Sequence, residues 1–121
     1  MKIGVDARPL RHPHSGIGRY TSHLLERMTR EPGYCWYLYQ IDESEALHCG
    51  WLARKNIVCR RAASKVPVTL AAQWLFPRWA REDSLDVFWT PRHHLPRSMP
   101  PPVSVVTIHD FVWRVVPETM P

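Results

Sequence analysis

Ile3-Gly4-Val5-Asp6-Ala7-Arg8, then a short proline-containing loop, then Ser15-Gly16-Ile17-Gly18-Arg19-Tyr20: this opening stretch decides how the rest of the chain is read. Lys2 to Ala7 is mostly apolar, with Ile3, Val5 and Ala7 on one face, as a buried parallel strand requires. Gly4 in the middle lets a neighbouring element come close. Arg8 to Ser15 holds Pro9, Pro13, two arginines and two histidines, and reads as a loop. Ile17 to Arg30 reads as a helix. Ile17, Tyr20, Leu24 and Met28 recur at three- and four-residue steps, and Leu25 widens the stripe. Ser15 is suited to cap its start, Arg27 and Arg30 suit the negative end of its dipole, and Pro32-Gly33 stops it.

Outward from that unit the pattern alternates. Tyr34 to Ile41 reads as an aromatic-rich second strand. Asp42 to Leu52 reads as a short helix or loop, Asn56 to Arg60 as a third strand, and Arg61 to Lys65 as a basic linker. Val68 to Arg81 reads as a second helix, kinked or ended in its regular part by Pro77. Asp86 to Thr90 reads as a fourth strand and Pro91 to Pro102 as a loop with five prolines. Val103 to Ile108 reads as a fifth strand, followed at once by His109 and Asp110. Strands alternating with helices predict an α/β fold, a Rossmann-like parallel sheet with flanking helices. Such a sheet ordinarily continues beyond a fifth strand, so further chain after residue 121 is expected.

Composition narrows the class. The chain has 121 residues, the size of one domain, spanning 1–121. It is 45% hydrophobic and 22% charged, close to globular averages, which argues against a disordered segment. No apolar run reaches the roughly 18 residues of a membrane span. Asp6 interrupts the amino terminus too early for a signal peptide. Cys35, Cys49 and Cys59 are an odd number without C-x-x-C spacing, which fits reduced thiols in a cytoplasmic protein. His48 beside Cys49 lacks a second ligand pair at zinc spacing, so no metal site is expected.

The formal charge of +5 is compatible with nucleic acid, anionic lipid or phosphorylated ligands. No RNA-binding signature and no helix with a basic reading face accompanies it, so a nucleic-acid partner is not expected. Arg54, Lys55, Arg60, Arg61 and Lys65 precede Trp74, Leu75, Phe76 and Trp79, which are flanked by Arg78 and Arg81. That pairing suits a membrane surface, although aromatics at helical spacing also build cores. The core is the expectation for most of the aromatics, and lipid contact for the basic rim.

Ligands of open α/β sheets bind beyond the carboxyl ends of the strands. Three polar clusters are expected there: Asp6 with the loop into Ser15-Gly16-Ile17-Gly18-Arg19-Tyr20, Arg92-His93-His94, and Thr107-Ile108-His109-Asp110. Gly16-Ile17-Gly18 opens the first helix, where backbone N–H groups could hold a phosphate or sugar oxygen, or could form only a flexible turn. The glycines match a dinucleotide fingerprint poorly. Thr21 replaces the third, and the tight turn directly after the strand is missing.

In this order and spacing, the two opening motifs, Asp86-Val87-Phe88-Trp89-Thr90-Pro91, Leu95-Pro96, Val105-Val106-Thr107-Ile108-His109-Asp110 and Pro117-Glu118 resemble the N-terminal domain of family 4 (group 1) glycosyltransferases. The resemblance is strongest to bacterial mannosyltransferase-like members that build surface polysaccharide. It implies the N-terminal, acceptor-binding half of a GT-B fold, with the donor-binding domain outside this chain. It implies transfer of a sugar, mannose among the candidates, from a GDP- or UDP-linked donor to a glycan or lipid-linked acceptor, with retention of configuration and no metal cofactor. By position, His109 and Asp110 would be catalytic. Asp6, Gly16, Ile17, Gly18, Arg19, Tyr20, Arg92 and His93 would bind substrate. The expected setting is the cytoplasm, at the inner face of the membrane, with peripheral membrane contact. A non-catalytic module binding anionic lipid or glycan is the alternative reading.

Overall fold

A computed structural model describes residues 1–41, 49–92, 95–100 and 103–108. Seven regular elements follow one another: β1 (Lys2–Asp6), α1 (Gly16–Met28), β2 (Cys35–Ile41), β3 (Ile57–Ala62), α2 (Val68–Asp83), β4 (Val87–Thr90) and β5 (Val103–Val106). Short 3₁₀ turns at Arg8–Arg11 and Gly50–Ala53 join them. The five strands form one sheet in the order β3-β2-β1-β4-β5, with every pair parallel. This is a Rossmann-like α/β fold. The chain winds outward from β1 to β3, crosses back, and winds the other way through β4 and β5. The strand order therefore reverses between β1 and β4.

The alternation in β1 explains how both faces fill. Val5 pairs in register with Leu38 and Trp89, and these join Ala7, Leu10, Leu25 and Trp36 in a core beneath α1. Gly4 lies in register with Tyr37 and Phe88 on the opposite face. There Tyr39, Phe76, Trp79, Leu85 and Phe88 pack beneath α2. A Cβ on Gly4 would collide with the Leu85 side chain, so the close approach expected of this glycine is real.

Several boundaries move by a residue or two, as hydrogen-bonded ends do. Two shifts have specific causes. Pro77 does not end α2, which runs on to Asp83 and closes with Ser84 in the left-handed region at φ 52°. Pro77 is itself buried, and Phe76, Trp79 and Ala80 around it anchor both halves of the helix. That packing offsets the roughly 3 kcal/mol a mid-helix proline costs. The fifth strand stops at Val106, short of the expected Ile108. Thr107 N–H still donates to the Thr90 carbonyl (3.0 Å), and the Trp89 indole donates to Thr107 Oγ1 (2.8 Å). The expected helix or loop over residues 42–52 falls partly outside the described residues; its last part is the turn at Gly50–Ala53.

The end of α1 is fastened from β3's approach. Arg54 Nη1 donates to the Glu26 carbonyl (2.5 Å) and to Thr29 Oγ1 (2.7 Å), and Asn56 Nδ2 donates to the Thr29 carbonyl (2.9 Å). A cation at the carbonyl end of a helix satisfies both its orphan acceptors and its dipole.

A second polar tie joins β2, β3 and α2. Buried Tyr39 donates its phenol proton to Asp83 Oδ2 (2.6 Å), and Arg60 donates to Asp83 Oδ1 (2.5 Å) and Glu82 Oε2 (2.8 Å). Burial, then the bond to Asp83, push the Tyr39 phenol far above its ordinary value of 10.0. Burial works against the Arg60 charge, but its bonds to Asp83 and Glu82 still hold it above the usual value. Folded Tyr39 thus keeps a proton that the unfolded phenol loses above about pH 10. Its contribution is complete below that pH and declines as pH rises further. Tyr39→Phe is expected to cost about 1–3 kcal/mol at neutral pH in urea unfolding, and to flatten the decline above pH 10.

Candidate functional site

Where strand order reverses, the connections leave in opposite directions and open a crevice at the carboxyl ends of the strands. In this chain the crevice is a cleft of about 430 Å³. The turn after β1 supplies Arg8, Pro9, Arg11 and His12; the start of α1 supplies Ser15 and Ile17. Ile41 ends β2, Val68 begins α2, and Arg92 follows β4. The polar lining is cationic, and no carboxylate reaches it from the described residues.

Asp6 lies beneath this surface, almost fully buried, and both its oxygens are engaged by Arg8. Arg8 Nε donates to Oδ1 (2.8 Å), Nη2 to Oδ2 (2.6 Å), and the Arg8 backbone N–H to Oδ1 (3.2 Å). The Arg8 guanidinium also sits over the Phe76 ring, 5.3 Å from its centroid. Asp6 fixes Arg8, which forms part of the cleft wall. Arg92 is placed by Thr90, whose hydroxyl accepts from the Arg92 N–H (3.3 Å) and donates to its carbonyl (3.4 Å).

The two glycines at the start of α1 have different duties. Ser15 Oγ accepts from the Gly18 N–H (2.9 Å), the cap expected of this serine, and Arg19 N–H donates to the Ser15 carbonyl (3.0 Å). The first-turn N–H groups left for a ligand are those of Gly16 and Ile17. A Cβ on Gly16 would meet nothing within 4 Å. A Cβ on Gly18 would collide with the His12 carbonyl oxygen and lie 2.8 Å from that of Pro9. Gly18 is thus needed for the loop to pack against the helix.

Of the expected binding residues, the cleft brings together Ile17 and Arg92, with Gly16 beside Ile17 and Asp6 behind Arg8. Arg19 and Tyr20 are not in it. They line a separate shallow depression with His23, Leu24 and Arg27 on the outer face of α1. Helical geometry explains the separation: Gly18, Thr21 and Leu25 are buried, which turns Arg19 and Tyr20 outward. His93, His94, His109 and Asp110, and the Phe111 to Pro121 segment with Pro117-Glu118, lie outside the described residues. The cleft residues Arg8, Arg11, His12 and Val68 were missed by motif reading. Their signal was the density of arginine and histidine in the loop directly after the first strand.

Burial pushes the half-buried Cys49 thiol up, so it stays protonated near neutrality, and Cys35, Cys49 and Cys59 are all free thiols. Among the described residues no three His, Cys, Asp or Glu side chains gather to hold a metal ion, and no helix is long and apolar enough to cross a membrane.

The site is thus the switch-point crevice of a Rossmann-like domain, with cationic side chains and a helix start at its mouth. No family model, curated protein or solved structure matches the chain.

Proposed function

We propose that this chain is the acceptor-binding domain of a retaining glycosyltransferase. It would serve transfer of a sugar, mannose among the candidates, from a GDP- or UDP-linked donor to a glycan or lipid-linked acceptor of surface polysaccharide. The observation that carries the reading is the cationic cleft at the strand-order switch, around which residues of two of the ordered motifs gather. Arg11, His12, Arg92 and the start of α1 present positive charge and N–H donors to one volume. Sugar transfer separates charge between the ring and the leaving diphosphate, so prepositioned donors of this kind stabilise it. His109 and Asp110 remain the proposed catalytic pair on resemblance alone. The donor-binding domain would be a separate part of the enzyme.

The dinucleotide alternative is disfavoured by geometry. Between β1 and α1 stands a 3₁₀ turn with Arg8, Pro9 and Leu10 buried, where a dinucleotide fingerprint needs a bare glycine turn.

The test is amide NMR titration with inorganic diphosphate and with a short prenyl-diphosphate disaccharide. Saturable shifts are expected at Arg11, His12, Ser15, Ile17 and Arg92. Arg92→Ala is expected to weaken binding by about tenfold, the usual effect of losing a charge-assisted hydrogen bond. Absence of shifts at these residues would remove the acceptor reading, and saturable shifts with NAD in the same cleft would replace it with a dinucleotide one.

A further inference from the structure

We propose that the start and outer face of α2 form a docking surface for an anionic lipid bilayer. The inner face of this helix is core, through Ala71, Ala72, Phe76 and Trp79. Its outer face carries large apolar side chains as well, among Thr69, Gln73, Arg78 and Arg81. Leu70 and Trp74 stand one turn apart and are 57% and 59% exposed, the most exposed large apolar side chains after Met1 among the described residues. Val66 and Val68 carry the exposed apolar surface round the start of the helix to the cleft, which Val68 lines. A single exposed leucine needs no explanation. Four large apolar residues within nine positions, one of them tryptophan, in a stretch of sequence without an acidic residue, have the composition of an interfacial element.

Charge selects the occupant. No acidic residue occurs between Glu45 and Glu82, whereas Arg54, Lys55, Arg60, Arg61, Lys65, Arg78 and Arg81 all do. Arg60 and Arg78 are engaged by Glu82, but Lys65 and Arg81 are exposed on either side of Leu70 and Trp74. The Arg97 N–H donates to Gln73 Oε1 (3.2 Å), which brings another basic residue to this helix. A second copy of the chain would set these cations against their own kind. An anionic bilayer accepts the apolar side chains below its headgroups and the cations among them. Docked this way, the cleft opens beside the membrane surface, where an amphiphilic acceptor would present its head. The docking surface itself does not depend on the transferase reading.

Flotation of the 121-residue chain tests it, without any nucleotide sugar, on vesicles of phosphatidylcholine alone and of phosphatidylcholine and phosphatidylglycerol in equal parts. The chain is expected to float with the mixed vesicles only, and less so as salt is raised. The Leu70→Glu/Trp74→Glu double variant is expected to lower the bound fraction by about tenfold or more, and Lys65→Glu/Arg81→Glu by about tenfold. Trp74→Ser, a milder change at an exposed position, gives the same reading with a smaller loss if the double variant fails to fold. No flotation with the mixed vesicles, or undiminished flotation of folded apolar-face variants, overturns the proposal. So does light scattering that shows a dimer dissolved by those substitutions, which would make a second copy the occupant.

Discussion

Replacing Asp6 by alanine is expected to lower the stability of the folded chain by about 3–5 kcal/mol, the loss that breaking a buried ion pair brings. Asp6 and Arg8 are both buried, and the carboxylate meets the guanidinium through two hydrogen bonds and the Arg8 N–H through a third. Removing the carboxylate leaves a largely buried guanidinium in the cleft wall, over the Phe76 ring and without its counter-charge. Such an orphaned charge costs far more than an exposed pair could contribute. Arg8→Met removes the opposite partner while keeping an apolar stem over Phe76. It leaves Asp6, which is buried more deeply than Arg8, without its guanidinium, and a loss of similar size is expected. Urea midpoints for the two variants, at unchanged denaturant slope, check both losses. A loss below about 1 kcal/mol for Asp6→Ala would show that the pair behaves as a solvated one.

That pair also shows where sequence reading reached and where it stopped. Asp6 was legible as a polar residue at the end of a buried strand, and the end of a strand in an α/β sheet is where ligands bind. What the sequence could not carry was that Arg8, two residues on, turns back to occupy both carboxylate oxygens. That depends on the 3₁₀ turn at Arg8–Arg11 and on Phe76 arriving from α2. The element order was legible because β1, α1, β2 and β4 each have a clean period and a clear stop signal. That α2 continues past Pro77 was not legible because propensity is local, whereas the aromatics that hold the helix together through it act across the sheet. The aromatic cluster divides in the same way: Phe76 and Trp79 are core, as helical spacing suggested, but Trp74 is at the surface. Only the phase of the helix against the sheet decides that, and composition does not contain it.

The two glycines of Gly16-Ile17-Gly18 give the other large prediction, because they look alike in sequence and differ in the fold. Gly18→Ala is expected to destabilise by about 1–3 kcal/mol, and at the upper end of that range. The atoms its Cβ would strike are backbone carbonyl oxygens of His12 and Pro9, which cannot rotate away as a side chain can. Relief requires moving the whole turn, including the Arg8 that pairs with Asp6, so losses at Gly18 and Asp6 should be less than additive. Gly16→Ala is expected to do the reverse and stabilise by about 0.4–1 kcal/mol. Its φ is not in the left-handed region, space around it is open, and alanine narrows the unfolded ensemble. Thermal unfolding of both variants separates the cases. If Gly16→Ala gains stability while losing diphosphate binding in the NMR titration, the glycine is kept for close approach of a ligand to the helix start. If it gains stability and binds unchanged, Gly16 serves only the turn, and the cleft's affinity rests on Arg11, His12 and Arg92.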